Sequence, residues 1–311
     1  MRPEDAYSSH IVVRLNVSRA RDYISDKLSR LTQPIITIDV IEAIIEKMYL
    51  SENRKGLFLR GEAPSTKDFK RYTKQLVSLG QLQTTARYGV YKIVGRAPLS
   101  TQEMISLADP YIYVAYLSAM QRWGVTNRQP KFSLFARPNK TIIKSIKPPL
   151  PEDDDFVELP IRTPVGHRSL HRVLDRHGSN NIRIIETRYP AETMWMGGEH
   201  TRISTQAATF VDMLHRPDLC GGMAHVVQVW EGNIINRQEL ILTELIDIVD
   251  RNPSSILKVR AGYLLSEHLG IQNDAVQSWK RFAARGGSRK LDPDKPYKNV
   301  FSEDWMLSLN V

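Results

Sequence analysis

The chain has 311 residues, of which 41% are hydrophobic and 25% are charged, and its formal net charge is +9. These proportions are ordinary for globular domains, so they exclude a chain that is disordered over its whole length. The length predicts two domains, or three. Mean hydropathy is -0.34, and no apolar run approaches the roughly 18 residues of a membrane-spanning helix. No signal peptide is expected, and the single cysteine, Cys220, fits a reducing cytoplasm.

The positive charge is concentrated in the first third of the chain. Residues 1–96 carry 17 basic and 10 acidic side chains, and residues 51–96 alone carry 10 basic and 3 acidic ones. A concentrated basic region attracts a polyanion, most often nucleic acid. A solvated basic face without any partner produces the same count, so the charge alone leaves both interpretations open.

Two helices are predicted inside this basic region. Residues 38–49 place apolar side chains on one stripe at the helical period. A second helix is predicted over residues 66–79, because Ser65 and Asp68 fit a capping box and Gly80 is suited to end the helix in the left-handed conformation.

The second of these helices has a cationic side. A spacing of three and four residues places four cations on one stripe, with no acidic partner at i+4: Lys67, Lys70, Arg71 and Lys74. Four cations in a row repel one another, and an anionic partner would relieve that repulsion. The residues predicted to face a core from the other side are Phe69, Tyr72, Leu76 and Leu79. The helix is therefore predicted to lie against phosphates.

Residues 81–94 predict a β-hairpin, because alternation at period 2 flanks a glycine-containing turn. Helix, turn, basic helix and two-stranded wing is the order of a winged helix-turn-helix, whose second helix enters the major groove of DNA. The predicted DNA-binding residues are Thr66, Lys67, Lys70, Arg71 and Lys74 on the helix and Arg87 at the tip of the wing. Domains of this kind also serve protein contacts, and the charge favours DNA. A further helix is predicted before this unit, over residues 18–31.

The rest of the chain predicts a larger mixed α/β domain, so the fold class is α/β (α+β). Ser100 with Glu103 fits a capping box, and Asp109 followed by Pro110 predicts a buried helix over residues 111–123. Strands are predicted over residues 131–135, 141–146, 156–160, 182–187, 194–196 and 305–309. Helices are predicted over residues 205–215, 222–230, 237–250 and 255–268.

The sequence contains no phosphate-binding glycine loop, no GxSxG and no HExxH. His167 and His171 have the spacing of metal ligands on a helix, but no third ligand is evident and a solvated segment is preferred. Cys220 is interpreted as a buried structural residue. Glu186 followed by Arg188 is a weak nuclease pattern, because arginine cannot act as a base. We therefore expect no catalytic residue, no metal and no cofactor.

Four stretches occur in an order and spacing that one family shares. They are Gly89–Tyr91; Ala108–Tyr113 with Leu117–Ala119 and Gly124; Arg202–Met213 with Arg216–Pro217 and Gly221–Gly222; and Arg260–Leu265 with Lys290–Pro293 and Trp305. Together they span about residues 35–310 and resemble the AbiEi family, the antitoxins of abortive-infection type IV toxin–antitoxin systems.

The resemblance implies an N-terminal winged helix that binds inverted repeats in its own promoter and represses the operon. It also implies a C-terminal domain that neutralises a nucleotidyltransferase-like toxin, AbiEii. The corresponding division is an N-terminal extension over residues 1–34, a winged helix-turn-helix over 35–96 and an antitoxin domain over 97–311. The extension and a long basic link between the first two helices depart from the family pattern.

The implied partners are double-stranded DNA and a cognate toxin, with no membrane. Inverted repeats require two copies of the protein, so we expect a monomer in solution or a weak dimer on DNA. Three alternatives stay open: a DNA-binding regulator of another phage-defence operon, a nuclease tethered by the winged helix, and a transcription factor whose second domain senses a small molecule.

Overall fold

The computed structural model describes residues 20–31, 33–85, 89–146, 181–234, 239–284 and 289–311. The protein is mixed α/β. Its described residues divide into two compact units that meet in sequence at Pro98 and Leu99. We call the N-terminal part unit 1 and the larger part unit 2. No helix within the described ranges is long and apolar enough to cross a membrane.

Unit 1 combines helices with a small antiparallel sheet. Its helices are α1 (Ala20–Arg30), α2 (Ile38–Leu50) and α3 (Thr66–Ser78), and a 3-10 turn (Glu52–Leu57) follows α2. Its strands are β1 (Ile35–Thr37), β2 (Leu82–Thr84) and β3 (Val90–Ile93), in the order β1-β3-β2. The predicted helices at 38–49 and 66–79 and the two strands of the hairpin are confirmed, whereas β1 was not foreseen.

The core of unit 1 lies between its helices and its sheet. Each element buries one apolar side, as the helical period of α2 and the alternation of the strands dictate. Its buried members include Ile24 and Leu28 of α1, Ile41, Ile44, Ile45 and Met48 of α2, Tyr72 and Leu76 of α3, and Leu82 and Ile93 of the sheet. Leu79 was predicted to join this core but is 49% exposed, because it lies beyond the last helical residue of α3.

Unit 2 is built on a five-stranded mixed sheet with the order β6-β5-β4-β8-β7. The strands are β4 (Tyr113–Val114), β5 (Ser133–Pro138), β6 (Ile182–Thr187), β7 (Thr193–Trp195) and β8 (Arg202–Ser204), and a hairpin of β9 (Phe301–Ser302) and β10 (Leu307–Ser308) stands apart from this sheet. The parallel pairs are β4 with β8 and β5 with β6.

The helices of unit 2 cluster towards the end of the chain. They are α4 (Thr101–Ala108), α5 (Tyr116–Arg122), α6 (Lys140–Ile143), α7 (Gln206–His215), α8 (Met223–Ile234), α9 (Glu239–Arg251), α10 (Ser255–Gly262) and α11 (Asp274–Ser278). A π-helical segment (Tyr263–His268) continues α10. The large core around them includes Phe210 and Trp230, which meet edge to face at 5.8 Å, and the buried Trp279 and Trp305.

One helix over residues 111–123 was predicted wrongly. Residues 113–114 form β4, the middle strand of the sheet, and α5 begins only at Tyr116, whose φ is +55°. A central strand is covered on both sides, so it is apolar all round, like a buried helix. Asp109 therefore does not begin a helix: it is the C-cap residue of α4, and its carboxylate accepts from the Tyr111 N–H at 2.9 Å.

The strand predicted over residues 141–146 is also wrong. Residues 140–143 form the short helix α6, and the Asn139 side chain caps it by accepting from the Ile142 N–H at 3.0 Å. Strand β8 was not foreseen, although the strands predicted at 182–187 and 194–196 are confirmed within a residue. The strand predicted at 156–160 lies outside the described residues.

Candidate nucleic-acid interface

Local signals at both ends set the length of α3. At its start Ser65 Oγ accepts from the Asp68 N–H at 3.3 Å, and Asp68 Oδ2 accepts from the Ser65 N–H at 2.9 Å, which completes the predicted capping box. Hydrogen bonds from Ser65 hold the pKa of the Asp68 carboxyl below its ordinary value of 3.8. At the other end Gly80 has φ +69°, and the Gln81 N–H closes the last turn on the Leu76 carbonyl at 3.0 Å.

The buried side of α3 determines which residues face outward. Tyr72, Thr73 and Leu76 are buried, and Phe69 packs against the same core while it is partly exposed. Because α3 packs on α1, α2 and β2 through these residues, the opposite side of the helix projects away from unit 1.

That outward side carries the helix residues predicted to bind DNA. Every one of them is exposed: Thr66, Lys67, Lys70, Arg71 and Lys74. The structure therefore keeps these five residues together on one face. Arg87, the predicted contact at the wing tip, lies outside the described residues, although the strands on either side of it pair as expected, with Thr84 opposite Tyr91.

Arg71 differs from the three lysines of the stripe. Its Nη2 lies 2.8 Å from Asp68 Oδ1, and its guanidinium sits 4.7 Å from the centre of the Tyr72 ring. The sequence offered no acidic partner at i+4, but this partner at i−3 relieves part of the repulsion among the four cations. Within the described ranges, no acidic side chain forms an ion pair with Lys67, Lys70 or Lys74.

Other cations of unit 1 were not singled out from the sequence. Arg54 donates to the Gly61 carbonyl, and Arg96 donates to the Ser29 and Leu31 carbonyls at 2.9 and 2.6 Å, so both hold main chain in place. Other exposed cations, for which the described residues show no such bond, include Lys55, Arg60 and Lys92.

Arg60 lies close enough to the start of α3 for its charge to contribute to the lowered pKa of Asp68. The basic segment between α2 and α3 was the sequence signal that could have found it, since the excess charge extends over that link.

The side chains that suggested other chemistry do not form a catalytic group where they are described. Cys220 is fully buried, and burial raises the pKa of its thiol well above the usual value, which disfavours a reactive thiolate. Among the described residues, no cluster of three or more His, Cys, Asp or Glu could hold a metal ion. His167 and His171 lie outside those residues. Glu186 lies on β6, opposite Arg137 of β5 in the sheet register.

No family model and no curated protein matches the sequence. Among solved structures, the chain is similar to the RV2827C protein from Mycobacterium tuberculosis, with a TM-score of 0.44 and 13% sequence identity over 91% of this chain and 88% of that chain. A likeness of this extent supports no conclusion about function.

Proposed function

We propose that this protein is a cytoplasmic DNA-binding antitoxin of an AbiE-like toxin–antitoxin system. In this proposal unit 1 is a winged helix-turn-helix that binds inverted repeats in its own promoter and represses transcription. Unit 2 counteracts a nucleotidyltransferase-like toxin. The observation that carries the DNA-binding half is the outward side of α3, where exposed cations lie opposite a well-packed core side.

The order of elements in unit 1 supports a winged helix. A helix, a connecting segment, a second helix and a two-stranded antiparallel ribbon follow one another in α2, α3, β2 and β3, and β1 adds a third strand to the ribbon. In such domains the second helix lies in the major groove with its N-terminal residues nearest the base edges. Thr66 and Lys67 then reach base edges or the first phosphates.

The remaining cations of α3 suit phosphate contacts. Lys70 and Lys74 lie one and two turns from Lys67 on the same side, so they can follow the DNA backbone along the groove. Arg71 must exchange its bond to Asp68 for a phosphate oxygen, which makes its net contribution smaller than that of a lysine without a partner. The exposed Lys55, Arg60 and Lys92 widen the basic surface around the helix.

The antitoxin half rests on the family resemblance in unit 2. The residues that carry the resemblance are mostly core residues. Asp109 binds Arg137, Arg260 donates to the Leu214 and Lys290 carbonyls at 3.1 and 2.9 Å, and Trp305 is fully buried. Residues with such roles preserve a fold, so they support common ancestry with the family more than they mark a toxin-facing surface.

Fluorescence anisotropy with the full chain tests the DNA-binding half. The duplex is the DNA upstream of the gene, and a scrambled duplex serves as competitor. In the variant Lys70→Gln/Lys74→Gln we expect weaker binding and a log K against log salt slope that is smaller by about 2, because two phosphate contacts are lost.

The matched control is Lys140→Gln/Lys144→Gln. These lysines of unit 2 are exposed, have the same i, i+4 spacing, and leave the protein with the same net charge when changed. We expect the control to bind like the wild type. If both variants lost the same affinity for DNA, the effect would come from net charge alone. If the protein bound both duplexes with equal affinity, unit 1 would be a basic surface without sequence preference.

Coexpression with the neighbouring toxin gene tests the antitoxin half separately. We expect the full chain to restore growth, and we expect Lys70→Gln/Lys74→Gln to restore growth equally while it loses promoter repression in a reporter assay. If the protein repressed its promoter but did not restore growth, it would instead be a regulator of another operon.

A further inference from the structure

Unit 2 contains a cavity of about 440 Å³ beside α7. Its walls come from residues 188–192, from α7, and from the end of α9 with the residues that follow it. This volume is typical of sites for small organic ligands. The cavity is far in sequence from the cations of α3, and no feature of the sequence pointed to it.

A buried carboxyl group lines this cavity. Asp212 of α7 is only 5% exposed, and its Oδ2 has no hydrogen-bond partner among the described residues. Buried polar atoms are almost always hydrogen-bonded, so a buried carboxyl group that lines a cavity and has an oxygen without a partner suggests a ligand that donates to this group. No cation of the described residues forms an ion pair with Asp212.

Aromatic and aliphatic side chains form part of the wall. The rings of Tyr189 and His215 are stacked, with centroids 5.0 Å apart and planes 11° from parallel. His215 Nε2 lies 3.3 Å from Asn252 Nδ2, which holds the imidazole in place. Val211 and Ile248 supply aliphatic surface.

Charges at the edge of the cavity are already partly paired. Arg251 Nη2 lies 2.7 Å from Glu192 Oε1, so this pair presents little net charge. Among the described residues that line the cavity, Asp212 offers a buried acceptor without a partner, so the site favours a ligand that brings its own N–H donors.

We propose that this cavity binds a small planar organic cation of the amidine or guanidine class. Its N–H edge donates to the Asp212 carboxylate, and its apolar part packs against the wall formed by Tyr189, His215 and Ile248. An amidinium matches the two oxygens of a carboxylate, and pairing removes the penalty of leaving the carboxylate without a partner. This proposal does not depend on DNA binding by unit 1.

The protonation of Asp212 should make the affinity of the site for a cation depend on pH. Burial raises the pKa of this carboxyl from 3.8 to about 8, so it carries a proton at neutral pH and must release it to bind a cation. For one linked proton, affinity rises about tenfold per pH unit below the pKa and levels off above it.

The tyrosines, the cysteine and the histidine around Asp212 do not change protonation in the pH range where this dependence is expected. Burial, and after it the charge of Asp212, raises the pKa values of Tyr113, Tyr116 and Cys220, which therefore stay protonated near neutral pH. Burial lowers the pKa of His215 to about 4, so its ring stays neutral there. The other charged groups that line the cavity are Arg188, Glu192 and Arg251.

Isothermal titration of the full chain with benzamidine, at several values between about pH 6 and pH 9, tests the proposal. Benzamide, the neutral isostere, and benzoate, the anion, are the comparison ligands. We expect benzamidine to bind most tightly, with an affinity that rises about tenfold per pH unit below pH 8. Benzamidine binding that is undetectable, or no tighter than that of benzamide or benzoate, would overturn the proposal.

Variants locate the binding within the cavity. Asp212→Asn keeps the shape of the side chain, and we expect it to weaken benzamidine binding at least tenfold and to abolish the pH dependence. Asp218→Asn makes the same substitution at an exposed position outside the cavity and is the control. Tyr189→Ala, at a residue that is 41% exposed, provides a second test that leaves the core intact. Unchanged affinity in both Asp212→Asn and Tyr189→Ala would refute the site.

Discussion

Units 1 and 2 use charged residues in opposite ways. Among the described residues of unit 1, no charged side chain is buried, and the cations of α3 project into solvent. Unit 2 buries a whole set of ionisable side chains: Asp109, Arg137, Arg202, Asp212, Lys258, Arg260 and Asp292.

Because of this difference, each unit depends on its ionisable residues for a different property. An exposed cation keeps its hydration, so changing it alters what the surface binds and affects folding little. A buried charge has lost its hydration and relies on partners inside the protein. Arg260 shows this reliance, since burial lowers the pKa of its guanidinium to about 10 while two carbonyls accept its hydrogen bonds. We therefore expect substitutions in α3 to change affinity and substitutions of the buried charges to change stability.

The largest expected effect is that of Asp109→Asn. Arg137 Nε lies 2.8 Å from Asp109 Oδ2, and both side chains are almost fully buried. Removing the carboxylate leaves the guanidinium buried without a counter-charge, which costs about 3–5 kcal/mol. Guanidinium chloride unfolding of the full chain measures the loss.

The matched control for that substitution is Asp304→Asn. Asp304 also forms an ion pair, with Lys280 Nζ at 2.6 Å, but its side chain is 65% exposed. Exposed pairs contribute less than about 1 kcal/mol. If both variants lost the same free energy of unfolding, burial would not determine how much an ion pair contributes to the stability of unit 2.

The next prediction concerns packing in unit 2. Replacing glycine by alanine should reduce stability at one position and increase it at another. A Cβ at Gly262 of α10 would lie 2.2 Å from an atom of the buried Trp305 ring, so Gly262→Ala overpacks the core and should cost about 1–3 kcal/mol. A Cβ at Gly232 of α8 would meet nothing within 4 Å, so Gly232→Ala should stabilise the helix by up to about 1 kcal/mol.

Thermal unfolding of the full chain distinguishes the two glycine variants by the direction in which each moves Tm. A decrease for Gly262→Ala with an increase for Gly232→Ala is the expected pair of results. An increase for both would mean that α10 can move away from Trp305, and the core of unit 2 would be more adaptable than the close contact implies.

Sequence reasoning succeeded where local chemistry determines the structure. The capping boxes at Ser65 and Ser100 located the starts of α3 and α4, because the bonds involved span only three residues. It failed at residues 111–123, because an apolar run of that kind suits a central strand as well as a buried helix. The choice depended on pairing with β5 and β8, which are distant in the sequence.

The same limit applies to the functional residues. The i, i+3 and i+4 spacing was sufficient to place the cations of α3 on one side, and the i−3 spacing of Asp68 could also have revealed the partner of Arg71. Asp212 could not be found in this way. It lies in α7 among buried apolar residues, and the missing partner of its Oδ2 is a property of the assembled core.

The smallest of the expected stability effects compares two helix N-caps, one in each unit. Ser65 caps α3 through its side chain, whereas Ser254 occupies the same position before α10 without a side-chain cap bond. We expect Ser65→Ala to cost about 1 kcal/mol and Ser254→Ala to cost little. Chemical unfolding at neutral pH compares them.

At acidic pH, Ser65→Ala should lower the free energy of unfolding by less than it does at neutral pH. Hydrogen bonds from Ser65 lower the pKa of Asp68 below 3.8 in the folded protein. A depressed carboxyl pKa stabilises the folded state above the ordinary pKa, and that stabilisation disappears as the pH falls through the folded value. The loss should therefore be smaller at about pH 3 than at about pH 7. A loss that is the same at both values would show that the Ser65 hydroxyl contributes only by accepting from the Asp68 N–H, and that the hydrogen bond it donates to the Asp68 carboxylate adds nothing to stability.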